Sequence, residues 1–334
     1  MTLRNGPVLP KFPLSLVHPL GPLFRYLPLS LRRHLLYLRY TGRWGNFRTP
    51  VLWSEKMQWR ILNDRRAILV VACDKLASKA LVANVATRLN IAIGIPETYW
   101  VGTDVRELQR MAERLPARWV LKPNHSSGRV RLLDSAAAPI NWSDLIAAGD
   151  RWMQPDEQTT VLGQWGYAGA RRLLIAEQRL GGGTEPPDDL RAQVVSGVIE
   201  RVDLSIGLDT PAHRIASYER DLVTRYASDF EMEIPHDART AVDAITAEER
   251  DAIRAAIEAI GTYVERVRVD GYFVEGRYWF GELTVYTASG LSDTPLPFDR
   301  RIGAPWQLPD LSAPDPREAE WRTLLTGTPK GTLQ

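Results

Sequence analysis

Three oxygen-bearing side chains lie on two neighbouring predicted strands in the C-terminal half of the chain. Asp270 falls in the run Val267–Val274, and Glu282 and Thr284 fall in the run Tyr278–Tyr286. Because side chains along a strand alternate between two faces, Glu282 and Thr284 share a face, and we expect Asp270 to point the same way across the hairpin. Magnesium prefers a few carboxylates, with water and phosphate oxygens filling its other positions. The pattern therefore predicts a magnesium site at this hairpin.

An arginine stands beside these acidic residues. Arg268 is two residues before Asp270 and shares its face of the predicted strand. A guanidinium at this point could hold a phosphoryl group or a tetrahedral oxyanion, because its planar fork matches such oxygens and keeps its charge. The alternative is a cross-strand ion pair on a solvated hairpin.

A second candidate is the segment VLKPNHSSGR, which follows a predicted strand, Arg118–Lys122. A loop of small residues lets backbone N–H groups approach phosphates, and Lys122 at its base adds a positive charge. The segment lacks the GxxxxGK[ST] spacing of a P-loop and the GxGxxG fingerprint of dinucleotide sites. A plain turn is the alternative. His125 is either a general base or, as we expect, a loop histidine bonded to the backbone.

A third candidate precedes the glycine- and proline-rich segment Gly181–Asp189. Glu177 lies near the end of a predicted strand, Arg172–Leu180, where its carboxylate could accept from an adenine amino group or a ribose. A glutamate facing solvent is the alternative. Beyond the linker, Asp189 and Arg191 share a strand face, so Arg191 could reach phosphates while Asp189 orients it or the ribose.

The elements that must position these residues are a mixture of helices and strands. Helical spacing predicts two helices over Ser54–Ala83 with a break near Asn63 and Asp64, and glycine-containing turns predict hairpins at Ser196-Gly197 and Glu275-Gly276. Further helices are predicted at Val105–Leu115, Asn141–Arg151 and Thr246–Val264. We expect an N-terminal helical appendage at 1–52, a first lobe at 53–180, a second lobe at 181–305 and a peripheral tail at 306–334.

The basic, aromatic stretch Leu31–Trp44 allows two interpretations. It could lie on an anionic membrane surface. We favour a helix whose Leu and Tyr side chains pack on the body while Arg32, Arg33, Arg39 and Arg43 stay solvated.

Composition narrows the class of protein. The 334 residues carry a formal charge of only +2 with interleaved signs, which argues against a nucleic-acid partner. Cys73 is the single cysteine, so an internal disulfide and a Cys-rich zinc site are excluded. No apolar run approaches the ~20 residues of a membrane span, and the start lacks signal-peptide features, so we expect a cytoplasmic location.

Five segments together resemble the ATP-grasp superfamily, and most closely its teichuronopeptide-biosynthesis (TupA-like) family. They are SEKMQWRILND, ACDKLASKALV, WVLKPNHSSG, GQWGYAGARRLLIAEQRL and RVDGYFVEGRYWFGELTVYTASG, within about Trp53 to Gly303. The resemblance implies an α+β ATP-grasp fold, in which two α+β lobes grip ATP, with a reduced helical N-terminal region. It also implies ATP and Mg²⁺ as cofactors.

The resemblance carries roles onto particular residues. ATP would contact Lys75, Lys122 and Asp189, with Asn124, His125, Ser126, Ser127 and Gly128 at its phosphates and Glu177, Gln178, Arg179 and Leu180 at its adenine. Asp270, Glu282 and Thr284 would bind Mg²⁺; Arg268, Lys122 and Arg191 would serve catalysis; Ser289 and Gly290 would border the acceptor site. The family usually has Asp-Tyr-Lys where this chain has Asp189-Leu190-Arg191, and the superfamily usually has Asn at the position of Thr284.

The implied activity is ligation of a carboxylate to an amine through an acyl-phosphate, with small carboxylate and amine substrates such as amino acids, uronic acids or peptides. Two alternatives remain. One is a kinase that transfers the γ-phosphate to a hydroxyl, and the other is a non-catalytic ATP-binding scaffold. The context would be surface polysaccharide or peptide-like metabolite synthesis.

Overall fold

The computed structural model describes residues 24–183, 187–207, 213–226, 234 and 240–326. The start of the predicted appendage, part of the predicted linker and the end of the tail lie outside these residues. The chain forms two compact units that do not follow chain order. The first comprises the described residues up to Arg66, with Pro155–Trp165 and Tyr286–Leu308; the second comprises Ala67–Gln154, Gly166–Val285 and the described residues from Pro309 onward. The linear lobe boundaries given above stay predictions.

Four helices precede the first strand, and further helices and strands follow in mixed order through the described residues. The helices are α1 Leu29–Thr41, α2 Trp53–Asn63, α3 Ala67–Cys73, α4 Lys75–Leu89, α5 Val105–Arg110, α6 Trp142–Trp152, α7 Glu157–Thr160, α8 Trp165–Gly169, α9 Ala247–Gly261, α10 Leu296–Gly303 and α11 Glu318–Thr326. The strands are β1 Thr98–Gly102, β2 Arg118–Pro123, β3 Arg131–Asp134, β4 Leu174–Gln178, β5 Asp189–Val195, β6 Val198–Ile206, β7 Arg214–Tyr218, β8 Arg266–Val274 and β9 Arg277–Thr284.

All nine strands belong to the second unit and form two antiparallel sheets. The four-stranded sheet has the order β1-β4-β2-β3, and the five-stranded sheet has the order β7-β6-β5-β8-β9. Helices α5 and α6 bury an apolar core against the first sheet, in which Trp119 and Leu174 have no exposed surface. Helix α9 packs on β5, β6 and β8. Antiparallel sheets covered by helices confirm the predicted α+β class.

Local chemistry explains where several elements begin and turn. The predicted break after Asn63 is present, and a further break at Asp74 divides α3 from α4. Asp74 caps α4 by accepting from the backbone N–H of Ala77 at 2.9 Å. The hairpin turn at Glu275 and Gly276 is also present, with φ of 54° and 71°, the left-handed conformation that a two-residue turn of this type requires.

The first unit corrects one expectation. Arg32 and Arg33 of α1, expected to be solvated, are both buried, and Arg33 has no exposed surface. The Arg33 guanidinium donates to the carbonyl oxygen of Ser289 at 2.6 Å and to the side-chain oxygen of Gln58. Burial lowers the pKa of Arg33 to about 9. These acceptors satisfy the guanidinium, which is why it can be buried here.

The segment after Pro305 packs more closely than its composition suggests. In the first unit, Trp306 has no exposed surface, and the guanidinium of Arg60 lies 4.5 Å from its ring centroid. In the second unit, α11 packs on α4, with Trp321 buried and the amide of Asn84 donating to the Leu324 carbonyl.

In the part of the chain that the structure describes, no helix is long and apolar enough to cross a membrane.

Candidate functional site

A cavity of about 370 Å³ lies within the second unit and collects most of the predicted site residues. Its apolar lining comprises Pro96, Val120, Val130, Leu132, Leu180 and Pro187. Its charged lining comprises Lys75, Lys122, Arg129, Glu177, Arg179, Asp189, Arg191, Arg268, Asp270 and Glu282. Ser126, Ser127, Gly128 and Gln178 also line it, so the cavity is amphipathic and rich in cations. Such a wall suits a ligand that joins an apolar ring to anionic groups.

The five-stranded sheet aligns the charged side chains in two rows. Arg191 on β5 pairs with Asp270 on β8, which pairs with Glu282 on β9. In the next row, Arg268 pairs with Thr284. Residues two apart on a strand share a face, so both rows present their side chains on one side of the sheet. The structure therefore brings Arg268, Asp270, Glu282 and Thr284 together.

A β-bulge makes this convergence. From the hairpin turn the pairing runs regularly as far as Gly271 with Phe280, and then Asp270 pairs with Glu282, which leaves Gly281 as the extra residue. Continuing the regular register would pair Asp270 with Gly281 and place Glu282 on the opposite face. At Gly281 a Cβ atom would stand 3.0 Å from the carbonyl oxygen of Asp270. A glycine fits the bulge, and the bulge turns Glu282 toward Asp270.

Asp270 is held by several donors. Arg268 binds it through two nitrogens, each 2.6 Å from a carboxylate oxygen, and the Thr284 hydroxyl lies 3.2 Å from Oδ2. Burial raises the pKa of Asp270, and the charge of Glu282 raises it further, against the opposing effect of Arg268. Asp270 is therefore a buried carboxylate that faces a second acid and depends on Arg268 for its counter-charge.

Glu282 faces the cavity from the next strand. Its Oε2 lies 3.2 Å from the ammonium nitrogen of Lys75. Burial raises the pKa of Glu282, but Lys75 and Arg268 oppose it and the net direction is downward. Among the described residues, no group of three or more His, Cys, Asp or Glu side chains is placed to hold a metal. Two facing buried carboxylates still fit Mg²⁺, which commonly takes one or two protein carboxylates beside water and phosphate oxygens.

The loop after β2 approaches the same acids. Lys75, at the start of α4, donates from its ammonium group to the carbonyl of Ser126 at 2.6 Å, and so ties the loop to Glu282. Gly128 has a φ of 70°, a left-handed conformation, and nothing lies within 4 Å of its missing Cβ. The loop is thus open on the cavity side, where its backbone can approach a ligand closely.

Two loop residues predicted to touch phosphates are not part of the cavity lining. The side-chain oxygen of Asn124 accepts from the backbone N–H of Leu76 at 2.9 Å, and its amide donates to the carbonyl of Arg171 at 2.9 Å. His125 donates from Nε2 to the carbonyl of Trp152 at 3.2 Å. Asn124 therefore fastens the loop to the start of α4, and His125 has the backbone-bonded arrangement expected above.

Glu177 is enclosed by two lysines. It is 3% exposed; one carboxylate oxygen pairs with the ammonium of Lys122, and the other with that of Lys79. Burial raises the pKa of Glu177, but the charges of Lys122 and Lys79 outweigh it and the net direction is downward. Glu177 is therefore a paired carboxylate rather than one facing solvent.

Sequence reasoning missed three side chains near the cavity. Lys79 is one turn after Lys75, so helical spacing alone could have placed it on the same side of α4. Tyr272, which lines the cavity, pairs with Asp189 across β5 and β8 and hydrogen-bonds its side chain. The buried hydroxyl of Tyr167 hydrogen-bonds Ser127. Tyr272 is two residues after Asp270 on β8, so strand alternation could have placed it on the same face. For Tyr167 no local pattern in the sequence gave a signal.

The remaining predicted residues fall in two places. The guanidinium of Arg191 donates to Asp189 at 2.7 Å on the cavity wall, and burial raises the pKa of Asp189 despite that partner. Ser289 and Gly290 belong to the first unit, in a turn where Ala288, Ser289 and Gly290 all have positive φ. Gln58 donates to the carbonyls of both Ser289 and Gly290 at 3.0 Å, which fixes this strained turn.

Comparison with known proteins gives only distant likeness. No protein-family model matches the chain, and no curated protein matches it. The ATP-grasp ligase PsnB bound to a minimal precursor is 14% identical, with a TM-score of 0.37, over 87% of this chain and 74% of that chain. The D-Ala:D-Ser ligase VanG from Enterococcus faecalis is 14% identical, with a TM-score of 0.35, over 64% of this chain and 52% of that chain. A D-alanine–D-alanine ligase from Bacillus anthracis is 13% identical, with a TM-score of 0.34, over 70% of this chain and 67% of that chain. Scores this low decide neither fold family nor activity.

Proposed function

We propose that this chain is an ATP-dependent carboxylate–amine ligase of the ATP-grasp type. One observation carries the proposal: a single cavity combines an apolar lining with Lys75, Lys122, Arg191 and Arg268 and with the facing acids Asp270 and Glu282. An apolar slot suits a nucleobase, cations suit its phosphates, and paired carboxylates suit the Mg²⁺ that accompanies a nucleoside triphosphate. The order of these groups along the chain is that of the ATP-grasp segments quoted above.

ATP would lie with its adenine against the apolar lining, beside the backbone of Gln178–Leu180. Lys122 and the open loop Ser126–Gly128 would hold its phosphates, because ammonium and backbone N–H groups both donate to phosphate oxygens. Arg191 would hold phosphates from the five-stranded sheet. Asp189 would keep Arg191 oriented through the 2.7 Å contact between them.

Asp270 and Glu282 would hold Mg²⁺, with the Thr284 hydroxyl 3.5 Å from Glu282 and 3.2 Å from Asp270. When bound, the metal would neutralise charge that develops on the transferred phosphoryl group. Lys75 would connect this centre to the loop, since it contacts both Glu282 and the carbonyl of Ser126. Arg268 is within hydrogen-bonding distance of Asp270 and is aligned to steady the same oxygens.

The reaction would run in two steps. An oxygen of the substrate carboxylate attacks the γ-phosphorus of ATP, the bond to the bridging oxygen breaks, and ADP leaves. The amine nitrogen then attacks the acyl carbon, loses a proton and expels inorganic phosphate, which leaves an amide. The residues would act through positioning and electrostatics, and Arg268 would stabilise the oxyanion of the second step.

The finer assignment follows the quoted segments. Their likeness to the TupA-like family supports substrates drawn from amino acids, uronic acids or acidic peptides, in synthesis of a surface polymer or a peptide-like metabolite. Two observations favour a non-catalytic ATP-binding scaffold. Arg268 engages both oxygens of Asp270, and Thr284 stands where the superfamily usually has Asn.

Product analysis tests the proposal. Purified protein with ATP and Mg²⁺ is incubated with pools of carboxylates, amines and hydroxyl compounds, together and singly, and ADP, phosphate and coupled product are measured by chromatography and mass spectrometry. A ligase forms ADP, phosphate and an amide only when carboxylate and amine are both present. ADP with a phosphorylated hydroxyl compound would identify a kinase instead, and ATP binding without ADP formation across all pools would support the scaffold.

A further inference from the structure

Both oxygens of the Glu177 carboxylate already have partners inside the protein. Lys122 on the neighbouring strand β2 pairs with Oε1, and Lys79 on α4 pairs with Oε2. A carboxylate that is paired on both oxygens and only 3% exposed offers an adenine amino group or a ribose hydroxyl little access to its remaining lone pairs. Direct contact between Glu177 and a bound ligand is therefore disfavoured. The two lysines that pair with Glu177 are the side chains to compare next.

The two lysines differ in what remains open to a ligand. An ammonium group has three N–H donors. Lys79 uses all three, on Glu177, on the carbonyl oxygen of Pro96 at 3.0 Å and on the hydroxyl of Thr98 at 3.3 Å. Lys122 lines the cavity, and Glu177 is its only ion-pair partner among the described residues. Lys122 thus keeps donors for phosphates, whereas Lys79 keeps none.

The charge of the group follows from the same contacts. One carboxylate between two ammonium groups leaves one net positive charge. Without Lys79 the group would be neutral, and Glu177 Oε2 would be free to draw the Lys122 ammonium toward itself or to face the ligand as a bare acceptor. Either change weakens the attraction of this wall for phosphates.

We propose that Lys79 is a positioning residue for nucleotide binding. Its ammonium group pairs with the Glu177 carboxylate, so that the carboxylate holds Lys122 in place while the three side chains keep one net positive charge. The inference rests on the proposed function, because it assigns the anionic ligand to ATP. Lys79 would act only through Glu177 and Lys122, without touching the nucleotide. A purely structural role, anchoring Pro96 and Thr98 to α4, is the competing explanation.

A double-mutant cycle on ATP affinity separates the two roles. The dissociation constant for ATP is measured by calorimetry for wild type, Lys79→Met, Glu177→Gln and the double variant, with the unfolding midpoint of each. We expect Lys79→Met to weaken ATP binding about tenfold in the wild-type background and about twofold or less once Glu177 is Gln. Lys79→Arg keeps the charge and should restore most of the affinity.

Lys56→Met is the matched control, because Lys56 also donates to backbone carbonyls, at 3.0 Å to Gly303 and 2.6 Å to Trp306, but within the first unit. It should change the unfolding midpoint and not the ATP affinity. If Lys79→Met does not fold, Lys79→Gln, which retains amide donors for Pro96 without the charge, replaces it in the same cycle.

The outcomes distinguish this inference from the proposed function. If wild type binds ATP and Lys79→Met binds it equally well, or if the two substitutions weaken binding additively, the positioning role is overturned while the proposed function stands. If wild type binds no ATP, both fall together. Loss of affinity that disappears in the Glu177→Gln background supports the role.

Discussion

Buried carboxylates occur on both sheets of the second unit, but their surroundings differ. Glu177, on the four-stranded sheet, has an ammonium group on each oxygen, and the pKa of Glu177 is lowered because Lys122 and Lys79 outweigh its burial. Asp270, on the five-stranded sheet, has Arg268 as its partner but also faces Glu282, and burial with that like charge raises the pKa of Asp270. One carboxylate has two cations on it, whereas the other faces a second carboxylate, with Arg268 on Asp270 and Lys75 on Glu282.

The difference separates two arrangements within one cavity. The Glu177 carboxylate has its counter-charges from Lys79 and Lys122, and the three side chains leave one positive charge on the cavity wall. Asp270 and Glu282 place two carboxylates face to face, an arrangement whose mutual repulsion a bound Mg²⁺ would relieve. Substitutions on the two sheets should therefore differ in the property of the protein that they change most.

The largest expected effect comes from the five-stranded sheet. Glu282→Ala removes one of the two facing acids. We expect magnesium-dependent ADP formation to fall by about 10²–10³-fold, because the charge that develops on the transferred phosphoryl group is then less well neutralised. Initial rates with an accepted carboxylate and amine measure this. Glu320→Ala is the control. It removes an exposed carboxylate of α11 that pairs with Arg88, and it should keep wild-type rates. Equal rates for wild type and Glu282→Ala would remove this site from the mechanism.

On the four-stranded sheet the expected effect is on stability. Glu177→Gln leaves Lys79 and Lys122 buried without their counter-charge, so the free energy of unfolding at pH 7 should fall by about 3 kcal/mol. Because the folded-state pKa of Glu177 is lowered, its stabilisation is complete above the unfolded-state value, about pH 4.3, and is lost as the pH falls through the folded-state pKa. Urea unfolding from pH 3 to 8 should show the two proteins converging at acid pH. A difference independent of pH would show that the ion pairs are not its source.

A third substitution tests whether the bulge at Gly281 is what turns Glu282 toward Asp270. Gly281→Val adds a β-branched side chain where even a Cβ atom would stand 3.0 Å from the Asp270 carbonyl. We expect a loss of about 1–3 kcal/mol in the free energy of unfolding, with reduced magnesium-dependent turnover because the strand favours a regular register that turns Glu282 away. Unfolding curves and rates together measure this. Gly182→Val is the control, since nothing lies within 4 Å of the Cβ position of Gly182. Full turnover in Gly281→Val would show that the bulge is dispensable.

Local patterns were enough to predict several elements. The hairpin turn at Glu275-Gly276 and the helix predicted over Thr246–Val264 follow from local patterns. Both are present, the helix as Ala247–Gly261 with Thr246 as its N-terminal cap. The facing of Asp270 and Glu282 was predicted from alternation alone, but alternation fixes the face within a strand, not between strands. The bulge at Gly281 decides which face of β9 is aligned with Asp270, and the bulge is visible only in the folded structure.

Other parts of the site depend on contacts between residues distant in sequence. Lys79 and Glu177 are 98 positions apart, and Asn124 meets Leu76 across 48 positions. No local spacing shows that Glu177 is enclosed by lysines or that Asn124 is used internally. Arg33 is a similar case. The basic stretch around it predicted a solvated side chain, but the side chain is buried because Gln58 and Ser289, distant in sequence, supply acceptors.

The smallest predicted effect is also the most direct test of the contrast between the two sheets. Mg²⁺ alone, without nucleotide, should bind the Asp270 and Glu282 pair and stabilise the folded protein. At ten times its dissociation constant the gain is about 1.4 kcal/mol, or about 2–4 °C in the unfolding midpoint. Thermal scans should show this shift for wild type and Glu177→Gln, and EDTA should abolish it. Glu282→Gln should show no shift, because it removes one of the two carboxylate charges that attract the cation. If Mg²⁺ stabilises Glu282→Gln as much as wild type, the cation binds elsewhere and the difference between the two buried acids is not one of metal binding.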